Sequence, residues 1–308
     1  MKIWIDTDIG GDVDDAFAIL LAMADKNVEL IGVSTVFGDT VKRAQVAKTI
    51  LSMAGAKTIP VYAGEKMPIK TKKVYYDVVD DNIGLRTYIT DLFEDTKIDG
   101  TDAVEKMRDA ILSSSEKITL VTLGALTNVA KLFTDYPETV EKLDRVFIMG
   151  GAEYYNISEF NIVCDPEAAD IVLNSKAKLY LTTLDVTLRC ELTKENKISL
   201  EKCESEVIKT VLKMDCKWQK KTLLHDPLTL ACAIKDDFVN FGLGNVKVEL
   251  EGDMSRGKFI NLCDYNWKIK PKDNLFLSRS IDSEKFIKYY IDSIIELDKL
   301  IVESQNKF

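Results

Sequence analysis

A dense group of carboxylates marks the start of the chain. Within ten residues lie five aspartates: Asp6, Asp8, Asp12, Asp14 and Asp15. An apolar run at 2–5 precedes them and predicts a buried strand, and the apolar segment 16–24 predicts a helix packed on that strand. The acidic loop therefore lies at the carboxyl end of a strand, where open α/β sheets bind their ligands.

The chemistry of this loop is that of a cation site. A helix N-terminus relieves the repulsion among clustered carboxylates only weakly, by about 0.3 to 1 kcal/mol for each charge. A divalent cation relieves it far better, and Ca²⁺ and Mg²⁺ prefer oxygen ligands of this kind. The alternative is a solvated acidic turn that only caps the helix. The position directly after a buried strand favours the metal site.

A second group of polar side chains follows a predicted strand at 145–149 and two glycines. Asp165 precedes a proline, which is the pattern of a helix start, but Glu159 and Asn161 have no such explanation. We expect these two in a short loop at the same sheet edge, with Asn156 nearby. Carboxylate and amide groups together suit the hydroxyls of a sugar, which need both acceptors and donors.

The third group contains the only histidine of the chain, His225, followed by Asp226 and a proline. A lone histidine serves structure more often than catalysis, and an aspartate before proline is a common N-cap, so both interpretations stay open at this point. The segment 124–128, at the end of a predicted strand, is a tight turn in which Thr127 or Asn128 is expected to cap the next helix. Its backbone carbonyls are free to face a metal.

Strand-like and helix-like segments alternate through the first two thirds of the chain. Strands are predicted at 29–35, 59–62, 118–123, 145–149 and 177–182, and helices at 40–54, 102–113, 127–135 and 166–174. This alternation is typical of a mostly parallel sheet covered by helices. We therefore predict an α/β fold: an open, mostly parallel, Rossmann-like sheet with helices on both faces, in a single domain spanning 1–308.

The rest of the chain is less regular. Helical segments are predicted within 192–224 and from 227, strands at 246–250 and 258–262, and a final helix at 283–300. The polar stretch 65–99 lacks periodicity. A stretch of this length without clear elements suggests a lid or specificity loop at the active edge of the sheet.

Composition limits the classes of function. The chain of 308 residues is 46% hydrophobic and carries a formal charge of −9, which argues against a grip on nucleic acid or on an anionic membrane. It has no apolar run near the roughly 20 residues needed to span a bilayer. Six cysteines without a C-x-x-C pair predict a reducing, cytoplasmic setting. A small polar ligand held by a metal fits this balance best.

Several motifs together resemble one known family. In chain order they are DTDIGGDVDDA, STVFGDT, VYAG, LGALTN, MGG, EFNIVCDPEAA, LDVT and HDP. This set, which runs from residue 2 to about residue 265, resembles the inosine-uridine preferring nucleoside hydrolase family. The resemblance implies calcium-dependent hydrolysis of the N-glycosidic bond of a ribonucleoside to ribose and free base, and assembly as homodimers or homotetramers.

The resemblance also implies roles for single residues. The implied calcium ligands are Asp8, Asp15, Asp226 and the backbone carbonyl of Leu123. Asp8 is also implied as the general base for the attacking water, and His225 as the residue that assists departure of the base. The implied contacts with ribose are Asp14, Asn156, Glu159, Asn161 and Asp39. Asp6 is expected to lie behind the other aspartates and to support the loop by hydrogen bonds.

The chain departs from the family pattern at three places. Between Asp8 and Asp14 its acidic loop is two residues longer than the commoner form, which adds Asp12 as a rival for the role of Asp14. Asp39 stands where the family usually has asparagine. The segment 79–85 lacks the family's base-facing histidine, which leaves base recognition open. Three aromatic candidates for stacking on the base, or for packing the stretch itself, are Tyr75, Tyr76 and Tyr88.

Two other functions stay open. A strand followed by Asp6-x-Asp8 also begins the haloacid-dehalogenase-type phosphatases, but these have Thr or Val where Gly10 stands, and the EFN and HDP motifs then have no explanation. The second is a nucleoside- or ribose-binding protein that has kept the metal pocket without turnover. Phosphate release would favour the first, and tight ribose binding without base release would favour the second.

Overall fold

The structure is a computed structural model and describes residues 1–70, 96–215, 221–263 and 268–305. These ranges contain twelve strands and twelve helices. The strands are β1 (Lys2–Thr7), β2 (Glu29–Thr35), β3 (Val61–Ala63), β4 (Ile118–Thr122), β5 (Leu143–Met149), β6 (Leu179–Thr182), β7 (Glu191–Leu192), β8 (Thr222–Leu223), β9 (Val239–Leu243), β10 (Val246–Val248), β11 (Phe259–Asn261) and β12 (Leu275–Ile281). The helices are α1 (Asp14–Ala24), α2 (Thr40–Met53), α3 (Ala103–Ser113), α4 (Thr127–Asp135), α5 (Thr139–Lys142), α6 (Phe160–Cys164), α7 (Pro166–Leu173), α8 (Leu184–Thr187), α9 (Lys194–Leu200), α10 (Glu206–Asp215), α11 (His225–Ile234) and α12 (Ser283–Gln305).

Eight strands form the central sheet, in the order β3-β2-β1-β4-β5-β6-β12-β9. Neighbouring strands are parallel except β12 and the edge strand β9, which are antiparallel. The strand order reverses at β1, which pairs with β2 on one side and with β4 on the other. Ligands of open α/β sheets bind in the crevice at such a switch point, and the acidic loop follows β1 there. The predicted fold class is confirmed.

Helices cover both faces of the sheet, because successive strand residues point to opposite sides. In β1, Ile3 and Ile5 belong to one buried cluster together with side chains of α1, α2, α10, α11 and α12. Trp4 belongs to a second cluster with side chains of α3, α4 and α7. In β4, Val121 and Leu120 divide between the two clusters in the same way. Burial of both faces explains why these strands are nearly continuous apolar runs.

Most predicted elements are present, with ends shifted by a few residues, but the pattern misses β9 and β12. β9 contains asparagine and glycine, which strands disfavour, and polar residues interrupt the apolar run of β12. The segment 192–224, predicted as helical, also holds the antiparallel pair of β7 and β8. Helix α1 begins at Asp14 rather than at 16, so two aspartates occupy its first turn, where the helix dipole favours negative charge.

The predicted lid at 65–99 lies mostly outside the described residues, as do the three tyrosine candidates and the segment 79–85. Its described beginning is tied to the sheet edge. The backbone N–H of Phe37 donates to the carbonyl of Glu65 over 2.8 Å, and the N–H of Glu65 donates to Oδ1 of Asn128 over 2.8 Å. The backbone N–H of Ile69 donates to Oδ2 of Asp165 over 2.9 Å.

Two predictions from composition concerned membrane-spanning segments and the state of the cysteines. None of the helices in the described ranges is both long and apolar enough to cross a membrane. The five cysteines that the structure describes are free thiols.

Candidate active site

A cavity of about 420 Å³ opens at the carboxyl ends of β1 and β4. Its polar lining comes from distant parts of the chain: Asp8, Asp12, Asp14, Asp15, Ser158, Glu159, Asn161, His225 and Asp226. Leu123 lines it as well. Eight of the ten predicted site residues therefore line one cavity, and only Asp39 and Asn156 do not.

The backbone of the acidic loop is fixed by Arg43, a fully buried side chain of α2. Its Nη1 donates to the carbonyls of Asp8 and Ile9, and its Nε donates to the carbonyl of Phe37 over 2.7 Å. The guanidinium charge lowers the pKa of Asp8 against the opposing effect of burial. Sequence reasoning gave Arg43 no role, because only the tertiary fold brings α2 beneath the loop.

Three carboxylates of the cavity sit at two helix starts. Asp14 and Asp15 begin α1, and Asp226 lies in the first turn of α11. The hydroxyl of Thr7 donates to Oδ1 of Asp15. The backbone N–H of Asp226 donates to Oδ2 of Asp14 over 3.3 Å. The N-cap of α11 is Leu224, so the N-cap interpretation of Asp226 was wrong.

Burial dominates the electrostatics of this group. It raises the pKa of Asp8 to about 6, with Asp12 adding to the rise. The pKa values of Asp14, Asp15 and Asp226 lie well above the ordinary range, first because of burial and then because of the neighbouring aspartates. Burial and mutual repulsion thus both oppose the simultaneous ionisation of these carboxyl groups.

The donor set fits a hard divalent cation. Carboxylate oxygens of Asp12, Asp14 and Asp15 lie within 4.8 Å of one another, and the donors of the group are oxygens alone. A cation there removes the repulsion that raises the pKa values. Only Asp15 belongs both to this trio and to the ligand set implied by the resemblance. Asp12 is the addition, and it comes from the lengthened part of the loop.

Asp6 lies behind the loop, as expected, and is fully buried. Its Oδ1 accepts from the Ser34 hydroxyl over 2.5 Å and from Nδ2 of Asn128 over 2.7 Å. Burial raises its pKa to about 7. The expectation that Thr127 or Asn128 caps α4 was wrong: the N-cap is Leu126, and Asn128 instead supports Asp6.

A second wall of the cavity is formed at a short helix, α6, where a loop was expected. Glu159 is its N-cap: Oε1 accepts from the N–H of Asn161 over 2.9 Å, and Oε2 accepts from the N–H groups of Ile162 and Gly151, each over 3.1 Å. Burial nevertheless raises the pKa of Glu159 to about 7. The helix start thus fixes the direction of this carboxylate.

Asn161 connects this wall to the end of β4. Its Nδ2 donates to the carbonyl of Leu123 over 2.8 Å and to that of Met149 over 3.1 Å. Both N–H groups of the amide are therefore engaged, and Oδ1 is the polar atom left for a ligand.

His225 begins α11 and lines the cavity. Its Nδ1 is 2.7 Å from the hydroxyl oxygen of Thr187, which lies at the end of α8. Burial lowers the pKa of His225, and Asp12 opposes that shift. Apart from the place of Thr187 in the LDVT motif, no sequence pattern pointed to this residue.

Two predicted residues lie elsewhere. Asp39 is the N-cap of α2, where its side chain accepts from the N–H of Lys42 over 3.1 Å. Asn156 is exposed, accepts a hydrogen bond from Lys258, and lines a separate groove of about 400 Å³. Neither belongs to the lining of the main cavity.

Sequence reasoning also missed the apolar part of the lining. These side chains are Met149, Ile157, Phe160 and Leu184. Phe160 is 44% exposed and packs edge-on against Phe37, with ring centroids 6.3 Å apart. Its place between Glu159 and Asn161 in the EFN motif was a usable signal. An apolar wall beside carboxylates suits a ligand with one flat and one polyhydroxylated part.

The fold and the cavity define an α/β protein that binds a small ligand beside clustered carboxylates at the switch point of its sheet. The profile of the inosine-uridine preferring nucleoside hydrolases matches residues 3–288, and the chain belongs to this family. It is thus an enzyme of the class that hydrolyses N-glycosyl bonds of nucleosides. Because the chain belongs to this family, the haloacid-dehalogenase-type phosphatase hypothesis is not supported.

Individual relatives cover nearly the whole chain. The inosine-uridine preferring nucleoside hydrolase of Crithidia fasciculata is 28% identical over 95% of this chain and 97% of that protein. The pyrimidine-specific ribonucleoside hydrolase RihA of Escherichia coli is 29% identical over 96% of this chain and 98% of that protein. A solved purine-preferring ribonucleoside hydrolase from Gardnerella vaginalis is 25% identical, with a TM-score of 0.79 over 97% of this chain and 100% of that chain. The names of these relatives differ in base preference at similar identity.

Proposed function

We propose that this chain hydrolyses the N-glycosidic bond of ribonucleosides to ribose and free base, and that it requires Ca²⁺. The observation that carries the proposal is the convergence of two groups on one cavity: the aspartates at the starts of α1 and α11, and the Glu159–Asn161 wall. The family supplies the reaction class.

The residues that would hold the cation are Asp8, Asp15, Asp226 and the carbonyl oxygen of Leu123. When bound, Ca²⁺ neutralises the clustered carboxylates and makes a neighbouring water molecule more acidic. The Leu123 carbonyl already accepts from Asn161, but a carbonyl oxygen has two lone pairs, so one is left for a cation.

Asp8 is proposed to take the proton of the attacking water. A general base works best with a pKa near the operating pH, and burial moves the pKa of Asp8 toward neutrality, to about 6. The water oxygen then bonds to C1′ of the ribose as the bond from C1′ to the base nitrogen breaks. The electron pair of the broken bond leaves with the base.

Asp14, Glu159 and Asn161 are proposed to bind the ribose as acceptors. The free Oδ1 of Asn161 and the carboxylate of Glu159 offer lone pairs to the hydroxyl hydrogens of the sugar. Their negative charge and dipoles also stabilise the positive charge that develops on the ribose ring in an oxocarbenium-like transition state. His225, which lines the same cavity, is proposed to assist departure of the base.

The test is a panel of purine and pyrimidine ribonucleosides with Ca²⁺ or with a chelator, followed by reducing-sugar release and by detection of free base. We expect both products in equal amounts with Ca²⁺ and neither with chelator. Saturable ribose binding without base release from any nucleoside would favour the binding-protein alternative instead. Assembly as homodimers or homotetramers is also proposed, and light scattering after size-exclusion chromatography tests it.

A further inference from the structure

We propose that Thr187 holds His225 as the neutral tautomer with its proton on Nε2, so that the ring donates a hydrogen bond to the leaving base. The catalytic part of this inference rests on the proposed function. The tautomer itself does not.

The direction of the hydrogen bond follows from the surroundings of Thr187. Its side chain is fully buried, and among the described residues the hydroxyl has one hydrogen-bond partner, Nδ1 of His225 at 2.7 Å. If Nδ1 carried a proton and donated it, the hydroxyl hydrogen would be buried with no acceptor in the described part of the chain. A buried donor without an acceptor is costly. Thr187 therefore donates and Nδ1 accepts.

The other ring nitrogen then carries the proton. A neutral imidazole whose Nδ1 accepts has its hydrogen on Nε2. His225 lines the cavity, and the described residues offer Nε2 no hydrogen-bond partner, so this N–H is the one available to a ligand. The doubly protonated ring is disfavoured by the same argument, because it too needs a hydrogen on Nδ1.

In this tautomer His225 can donate a hydrogen bond to the leaving base but cannot act as a general acid. A neutral imidazole is too weak an acid to surrender its Nε2 proton, so it stabilises the base by hydrogen bonding alone, as a preorganised donor aimed at developing charge. The base leaves with the electron pair of the C1′–N bond and takes its proton from solvent. The proton that Asp8 takes from the attacking water returns to solvent, so the protons balance.

Thr187 is well placed for this role because α8 is anchored on both sides. The N–H of Leu184 donates to the carbonyl of Gly151 over 2.9 Å, and the N–H of Thr183 donates to the hydroxyl oxygen of Ser278 over 3.1 Å. The N–H of Thr187 itself donates to the carbonyl of Thr183 over 3.1 Å. The hydroxyl thus faces His225 from a helix that is joined to β5, β6 and β12.

The tautomer can be measured without turnover. The chain has one histidine, so a long-range ¹H–¹⁵N correlation spectrum of untagged, ¹⁵N-labelled protein contains one ring. We expect the pattern of a ring protonated on Nε2 alone near neutral pH, in wild type and in Thr187→Ser, and a mixture of tautomers in Thr187→Val. Protonation on Nδ1, or on both nitrogens, in the wild type would overturn the inference.

Kinetics test the consequence. We expect Thr187→Val to lower kcat for a ribonucleoside about tenfold, the loss expected for one hydrogen bond, and to leave p-nitrophenyl riboside nearly unchanged, while Thr187→Ser restores the nucleoside rate. Thr139→Val is the matched control: this buried hydroxyl donates to the carbonyl of Tyr136 over 2.7 Å before the amino end of β5, away from the cavity. Its substitution is expected to lower Tm without changing the ratio of the two rates.

Two outcomes separate the inference from the proposed function. Equal losses of Thr187→Val on both substrates, or no loss on either, would remove Thr187 as a positioning residue while nucleoside hydrolysis stands. If the wild type releases no base at all, the proposed function fails, and the spectrum still decides the tautomer.

Discussion

The backbone N–H of Asp226 donates to Oδ2 of Asp14 over 3.3 Å, although 212 residues separate the two along the chain. This bond joins the starts of α1 and α11, so the positive ends of two helix dipoles face the same group of carboxylates. Two such ends compensate only part of the clustered charge. The pKa values of both aspartates stay well above the ordinary range because they are buried.

Removal of the cation is expected to lower Tm most at high pH. Burial raises the carboxyl pKa values of the folded, cation-free protein, to about 6 for Asp8, above the ordinary 3.8 of an unfolded chain. The folded state therefore binds protons more tightly, so its stability is greatest at low pH and falls as pH rises through the raised values. Bound Ca²⁺ offsets this loss. The measurement is Tm between pH 5 and pH 8 with chelator and with Ca²⁺, and a Ca²⁺-induced shift that fails to grow with pH would contradict it.

Asp8→Asn is expected to lower kcat by about 10² to 10⁴-fold, the usual effect of losing a general base. The substitution also removes one charge from the cation site, so the two effects need separate measurements. Calorimetric titration with Ca²⁺ gives the affinity, and kcat is then compared at saturating Ca²⁺. Full activity of the variant at saturating Ca²⁺ would show that Asp8 is a cation ligand and not the general base.

Asp12→Asn and Asp14→Asn test which aspartate of the long loop binds ribose. Asp14 is almost fully buried and bonded to Asp226, whereas Asp12 is partly exposed. We expect Asp14→Asn to raise KM for nucleosides about tenfold or more, as for a lost hydrogen bond to a charged group. Asp12→Asn is expected to weaken Ca²⁺ binding with a smaller effect on KM. The reverse pattern would show that Asp12 has taken the role of Asp14.

His225→Ala is expected to slow nucleoside hydrolysis far more than hydrolysis of p-nitrophenyl riboside. The nitrophenolate leaves without help, whereas a nucleobase needs a donor to stabilise its electron pair. The ratio of kcat values for the two substrates is the measurement. An equal loss of kcat on both substrates would show that His225 does not assist departure of the base.

Asp39→Asn is expected to leave both KM and stability nearly unchanged. Asparagine is as good an N-cap as aspartate, so the free energy of unfolding should change by less than about 0.5 kcal/mol. The side chain caps α2 and does not line the cavity. A clear change of KM in a variant with normal Tm would indicate that Asp39 does contact the substrate.

The alternating apolar pattern was enough to predict the parallel sheet, because strands buried on both faces differ clearly from the helices between them. The same logic brought Asp8, Glu159 and Asn161 to one edge of the sheet, whereas His225 joined them only through the family resemblance. The pattern failed for β12, whose polar residues break the apolar run, and for α6, which is too short for a helical period.

Side-chain direction could not be predicted where the backbone turns sharply. Asp39 follows a strand end, as Asp8 does, but Phe37 and Gly38 have φ values of 65° and 72° and turn the chain toward α2. The sequence pattern did not identify Arg43 and Thr187 as site residues, for a related reason. Each acts on a residue that only the tertiary fold brings near, Asp8 in one case and His225 in the other.

The bond between Asp14 and Asp226 also has a consequence for synthesis. Chains emerge from the ribosome amino end first, so the five aspartates leave it long before residue 226 of 308 is made. Until α11 docks, Asp14 lacks its bond to the N–H of Asp226, and the loop lacks the carboxylate of that residue. The carboxylates of α1 and α11 therefore come together in one cavity only in the last third of translation.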